Sequence, residues 1–331
     1  MPALDTLRRC GAALVLALSA LTAPPLAAQP AFPERPITLV VGFSPGGGVD
    51  VVGRIMAELL TQQLPGSTVV VDNRTGFSGN LAAQQVRRAA PDGHTLLMAP
   101  TTSYAMSVKL LGAAAAGYEL TSDFKAVATV AELPLVLLAH RGAGIESLEQ
   151  LQRAVKAAPG KFAYGSAGNG STEHVVTEAF RLQTGLEMIH VPYRGSSPAM
   201  ADLQSGQIQF LFTTPPTALS NVQGGRAVAV GAANRARLGV LPDVPTFREQ
   251  GLAFEAASVY AILAPRATPD AVVARLNGAL TEALKTPEAR ARLAKVGVEV
   301  IVASPAESAQ RLAAEVDKWS RAIDAARIKQ E

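Results

Sequence analysis

Apolar and polar positions along the chain follow two rhythms, and the switch between them marks the elements. Residues 36–43 form a β-branched apolar run that reads as a buried strand. Beyond a glycine cluster, Val49, Val52, Met56, Leu59 and Leu60 fall at helical spacing and predict a helix over 49–64. Residues 67–72 read as a second strand and 80–90 as a second helix. Pro91-Asp92-Gly93 then turns the chain into a strand over 95–99. This β-α-β-α-β order predicts a parallel sheet with helices on both faces.

A second block repeats the pattern. Ser147 and Gln150 have the spacing of a capping box opening a helix that runs to 158. A strand at 161–164, a glycine loop, a helix over 173–183 and a strand at 188–191 come next. A helix at 199–204 and strands at 208–212 and 227–231 complete the block. The long apolar stretch 126–140 separates the two blocks, and a similar strand, 259–265, follows the second. Thr268-Pro269 and Ser304-Pro305 predict the cap and first position of two late helices, the second with Glu307 at the third helical position. Two α/β units joined by two extended segments imply two lobes with a cleft between them. Lobe one is expected from 29–135 plus 258–331 and lobe two from 136–257.

The first 28 residues read differently. Arg8 and Arg9 give a positive start, an apolar run follows from 11 to 23, and small residues end at Ala28. That is the three-part form of a cleaved secretory signal, with an apolar run shorter than the ~20 residues of a membrane span. Cys10 is the only cysteine and precedes the apolar run, so the expected mature chain has no disulfide, thiolate nucleophile or Cys-ligated metal. The expected location is the bacterial periplasm.

Composition supports a folded α/β protein. Of 331 residues, 48% are hydrophobic and 17% charged, which excludes a disordered chain. The net charge of +3 is spread evenly and aromatics are only 5%, so no nucleic-acid surface is expected.

Two glycine loops, each between a strand and a helix, are the main candidate chemistry. They run from Gly42 through Phe43, Ser44, Gly46 and Gly47 to Asp50, and from Gly165 through Ser166, Ala167, Gly168 and Asn169 to Ser171. Glycine lets backbone approach a ligand, and the following helix start offers unpaired N–H groups with a partial positive charge. The loops are therefore candidate anion seats, one per lobe. His174 is a candidate either for ligand contact or for bracing the second loop. Tyr193 and Arg194 add a hydroxyl and a cation nearby by topology.

Gly42-Phe43-Ser44-Pro45-Gly46 also matches a nucleophile elbow, the mark of a serine hydrolase. The residue after the serine must give its N–H to an oxyanion, and Pro45 has none. His94, His140, His174 and His190 lie on separate elements without metal-ligand spacing. No metal and no cofactor are expected.

The chain resembles the Bug family of periplasmic solute receptors, the binding component of tripartite tricarboxylate transporters. The resemblance rests on Pro45-Gly46-Gly47 with Asp50 and Arg54, on Asp72-Asn73-Arg74, and on Pro91-Asp92-Gly93-His94. It extends through the second glycine loop with His174, His190-Val191-Pro192-Tyr193-Arg194-Gly195, and Lys318-Trp319. The resemblance implies a two-lobed type II periplasmic-binding-protein fold that closes on a small organic carboxylate. It implies that the two glycine loops grip the cargo, with a membrane permease as partner, and the chain is expected to be a monomer.

Three departures from the family pattern bear on the pocket. Phe77-Ser78-Gly79 stands where small residues are usual, Thr213 stands where an Asp is common, and Val259 and Ala261 replace a Trp and a Gly. If Phe77 and Thr213 face the cleft, they favour an anion with an uncharged, partly apolar body over a zwitterionic amino acid. The expected function is capture of such a carboxylate for a permease. The alternatives are a hydrolase using Ser44 and a sensor serving a signalling partner.

Overall fold

The structure, a computed structural model, describes residues 32–328. The predicted signal segment, with Cys10, lies outside the described residues. The first block is β1 (Ile37–Val41), α1 (Gly48–Gln63), β2 (Val69–Asn73), α2 (Asn80–Arg87) and β3 (Thr95–Pro100). β1 pairs in parallel with both β2 and β3, as the alternation predicts. α1 buries Val52, Met56, Leu59 and Leu60, the stripe set by its helical spacing.

Two helices that the apolar rhythm does not announce follow directly, α3 (Thr101–Leu111) and α4 (Ala113–Ala116). The first turn of α3, Thr101-Thr102-Ser103, is polar yet buried. The two threonines are held by hydrogen bonds: Thr101 Oγ1 donates to Val259 O at 3.1 Å, and Thr102 Oγ1 donates to the Glu315 carboxylate and accepts the Val259 N–H at 3.0 Å.

The long apolar stretch divides into β4 (Phe124–Pro134) and β5 (Val136–His140). α5 (Leu148–Ala157), β6 (Ala163–Ser166), α6 (Thr172–Thr184) and β7 (Ile189–Pro192) come next. α7 (Ser196–Ser205), β8 (Phe210–Thr213), α8 (Pro215–Gln223) and β9 (Ala227–Ala232) complete the second block. The chain returns through β10 (Ala257–Pro265) and ends in α9 (Asp270–Lys285), α10 (Pro287–Ala294), β11 (Glu299–Val300) and α11 (Pro305–Ala326).

These strands make two sheets, ordered β11-β4-β10-β3-β1-β2 and β7-β6-β8-β5-β9. Neither is wholly parallel. β10 runs antiparallel to β3 and β4, and β5 antiparallel to β8 and β9. The connecting strands pass from one sheet to the other without an intervening helix, so they enter reversed. They meet side by side at the passage. Leu135 N donates to Ala256 O at 2.9 Å, Ala256 N to Ala233 O at 3.0 Å, and Ala233 N to Leu135 O at 2.8 Å.

Each sheet has its own apolar core. The second is built around Phe180, Phe212, Phe247 and Phe254, with ring centroids 5.3–6.0 Å apart, and also takes Met106 from α3 and Trp319 and Ile323 from α11. Burying side chains of this size contributes roughly 1.5–3 kcal/mol each. The C-terminal helix thus packs against both units.

The helix ends follow local chemistry, with one correction. Ser304 caps α11 in a full capping box with Glu307, and Pro305 takes the first helical position. Thr268 does not cap α9. Pro269 occupies the cap position, and the buried Thr268 hydroxyl has no partner. Among the described residues, no helix is long and apolar enough to cross a membrane.

Candidate functional site

Five helices, α1, α3, α6, α7 and α8, begin around one cavity between the two sheets. It is lined by Gly47, Gly48 and Val49 at the start of α1, and by Pro100 and Ser103 at the start of α3. Thr172 and Glu173 come from α6, Ser196 from α7 and Thr214 from the cap of α8. Phe43, Leu135, Ser258 and Tyr260 close it. In this closed structure its free volume is only about 20 Å³, far below that of an occupied small-molecule site, so the cleft must open to admit cargo. Among the described residues, no Lys or Arg lines it. The helix starts that line it leave N–H groups without intrahelical partners and carry a partial positive charge.

The first glycine loop is shaped by Asp50. Its carboxylate accepts Gly46 N at 2.9 Å, Arg54 Nε at 3.0 Å and Asn73 Nδ2 at 2.9 Å, and Asn73 Nδ2 also donates to Phe43 O at 3.0 Å. Burial opposes ionisation of Asp50, but the bonds from Arg54, Gly46 and Asn73 outweigh it and hold the carboxyl below its usual range. Asp50 therefore builds the loop from behind. Gly47 and Phe43 reach the cavity wall, whereas Ser44 and Gly46 do not line it.

The second loop is braced in the same manner. Ser166 Oγ accepts Gly168 N at 3.1 Å and bonds His190 Nε2 at 2.7 Å. Ser171 caps α6 by accepting His174 N, and His174 Nδ1 accepts Gly170 N at 3.2 Å. The rings of His174 and His190 stack at 4.2 Å. Ser166, Ser171 and His174 thus fix the loop that carries Ala167, Gly168 and Asn169.

The two loops belong to opposite sheets, and each touches the other unit. Ser78 Oγ donates to Asn169 O at 2.6 Å, Ser197 Oγ donates to Pro45 O at 2.8 Å, and Ser197 N donates to Ser44 Oγ at 3.4 Å. A Cβ added to Gly48 would lie 2.0 Å from Thr214 Oγ1. The cleft is closed.

Several residues singled out in the sequence stand away from the cavity wall. Phe77, at a left-handed φ of 51°, is 46% exposed and neither lines the cavity nor packs into a core. Ser78 and Gly79 form the turn behind it, and Tyr104 OH donates to Gly79 O at 3.2 Å. Tyr193 donates its hydroxyl to Asp202 at 2.6 Å, and Arg194 points to solvent. Thr213 is buried one residue behind the lining Thr214, with its hydroxyl unpartnered.

Other lining residues escaped the sequence reading. Thr214 had a signal in Thr-Pro-Pro after a strand, an N-cap with proline at the first helical position. Ser103 had none, because the first turn of α3 looks like a loop. Glu173 is the least expected. It is 9% exposed, and its Oε1 accepts Ser196 Oγ at 3.0 Å. Among the described residues, no group of three or more His, Cys, Asp or Glu is placed to hold a metal ion.

The chain as a whole is matched by known proteins. The family model described as "Tripartite tricarboxylate transporter family receptor" matches residues 52–328. The chain belongs to this family. Protein BugT of Bordetella pertussis is 32% identical over 293 residues, covering 88% of this chain and 89% of that protein. Among solved structures, Rpa4515 of R. palustris with adipate superposes with a TM-score of 0.86 at 31% identity, over 90% of this chain and 99% of that one. MatC from Rhodopseudomonas palustris with bound malate superposes at 0.82 and 32% identity, over 88% and 100%. The expected Bug-type two-lobed receptor fold is thereby established for this chain.

Proposed function

We propose that this family member is a periplasmic receptor, without enzymatic activity, that captures a small organic carboxylate in the cleft and delivers it to a tripartite-transporter permease. The cavity carries the reading. Five helix starts converge on it, and the buried hydroxyls of Ser103 and Thr172, which have no hydrogen-bond partner, line it. Helix starts and hydroxyl donors of this kind suit holding an anion. The adipate and malate in the related structures support the choice of cargo.

Two features of the first loop speak against the hydrolase alternative. Ser44 Oγ accepts Ser197 N–H across the cleft, and Pro45 has no N–H for an oxyanion. The assigned lobes are 29–135 plus 258–331 and 136–257, with α11 reaching over to lobe two. The expected export signal supports the periplasmic assignment, and the chain is taken to act as a monomer.

Phe77 and Thr213 do not form the cavity wall, so the preference for a partly apolar cargo rests instead on Phe43, Val49, Pro100 and Leu135, which do. Micromolar capture needs about 8 kcal/mol, within reach of several charge-assisted N–H contacts plus this apolar surface. A thermal-shift panel of aliphatic, hydroxy, aromatic and amino acids on signal-free protein tests the reading. Carboxylates should raise the melting temperature, and a panel in which no acid does so would refute it.

A further inference from the structure

The cavity that presents so many donors also contains a carboxylate of its own. Glu173 lies in the first turn of α6, buried, and its carboxylate accepts Ser196 Oγ at 3.0 Å. Among the described residues no cation pairs with it. The titratable groups on the elements around it are committed elsewhere. On α1, Asp50 is paired with Arg54. On β10, the buried Tyr260 is kept neutral, first by burial and then by the Glu173 charge. On α3, Tyr104 donates to Gly79. On α6 itself, His174 accepts Gly170 N–H and stacks on His190 of β7. The first turns of α7 and α8 contain no titratable group.

An anion seated among the helix starts would share this small cavity with the Glu173 carboxyl. Two carboxylates in one dry site cannot both stay charged without a cation, so one takes up a proton. A cationic nitrogen on the cargo would relieve Glu173 instead. It would then face five helix N-termini and the hydroxyls of Ser103 and Thr172, all of which favour negative charge.

We propose that Glu173 is the specificity-determining residue of the cleft: in the loaded receptor it is a neutral carboxylic acid whose O–H donates to the cargo carboxylate, so that loading takes up one proton from solvent. This rests on the carboxylate-receptor reading. Burial pushes the Glu173 carboxyl above the usual glutamate range, against bonds from its own N–H and from Ser196 and Ser171. An O–H···O⁻ bond of this kind is short and strong, and it excludes a group with only donors to offer.

The test uses Glu173→Gln, which keeps a donor and removes the proton exchange. Probes are adipate, malate and aspartate, the last being malate with an ammonium in place of the hydroxyl. For wild type, adipate or malate affinity should fall about tenfold per pH unit above the Glu173 pKa, and calorimetry in two buffers should register uptake of about one proton. Glu173→Gln should bind the same acids with neither effect, and more tightly than wild type at high pH. The proposal is overturned if the variant keeps the wild-type pH slope, or if aspartate is the acid that binds and the variant loses it.

If none of the three acids binds either protein, the carboxylate reading fails for these probes, and a ligand-free comparison still decides the role of Glu173. A raised carboxyl pKa stabilises the fold at low pH, and that stability is lost as pH rises through the folded pKa. Wild type should therefore lose melting temperature relative to Glu173→Gln on going from about pH 5 to about pH 8. Parallel curves would overturn the proposal.

Discussion

The Ser78 hydroxyl donates to the Asn169 carbonyl at 2.6 Å, joining a turn of the first unit to the glycine loop of the second. The bond exists only while the cleft is shut. It therefore contributes to the difference between open and closed states, which is the quantity that sets cargo affinity in a two-state receptor. Ser78→Ala should weaken cargo binding about two- to tenfold, the equivalent of roughly 0.5–1.5 kcal/mol, with little change in the melting temperature of the cargo-free protein. Titration and thermal unfolding of the same variant check this, and a large loss of stability would place the bond in the folding core instead.

Gly48 gives a steeper test of closure. A methyl group there would meet Thr214 Oγ1 at 2.0 Å, far inside contact distance. Gly48→Ala should keep both units folded but hold them apart, with cargo affinity down by about tenfold or more. Adding Thr214→Ala removes the obstructing oxygen and should restore part of the affinity. Small-angle scattering should find Gly48→Ala more extended than wild type in the presence of cargo.

Asp50 should behave as a loop brace. Its folded pKa is depressed, so its stabilising effect is present above the ordinary Asp pKa of about 3.9 and is lost as pH falls through the folded pKa. Asp50→Asn should cost about 1 kcal/mol at neutral pH, since the pair with half-exposed Arg54 is partly screened. The gap between wild type and variant should close in acid-unfolding curves below about pH 4. A gap that persists there would show that the charge on Asp50 is immaterial.

The sequence rhythm announced most of the framework, because strands and helices with a strong apolar stripe are written in local periodicity. α1, with Val52 and Met56 turned inward, is such a case. α3 was not legible. Its Thr101-Thr102 start is buried through tertiary hydrogen bonds to Glu315 and Val259, partners more than 150 residues away. The reversal of β5 and β10 was equally hidden, since periodicity carries no strand direction. At the site, the glycine loops were legible from composition, but which of their side chains turn inward was not. Ser166 and His174 serve the loop from behind, whereas Glu173, between Ser171 and His174, faces the cavity.

Arg194 illustrates the same limit. Topology put a cation beside the loops, yet its side chain is exposed and does not line the cavity. Arg194→Ala should change affinity by less than about threefold, the scale of a solvent-screened charge. Loss of binding in a folded variant would replace a backbone seat by an arginine clamp.

The most direct measurement is a crystal structure of the signal-free protein with the acid that gives the largest thermal shift. A cargo carboxylate is expected between the starts of α1 and α6, within hydrogen-bond distance of backbone N–H groups around Gly48 and Thr172 and of the Ser103 or Thr172 hydroxyl. An acid bound outside the cleft, or held by Arg194 with those donors left unpaired, would contradict the account.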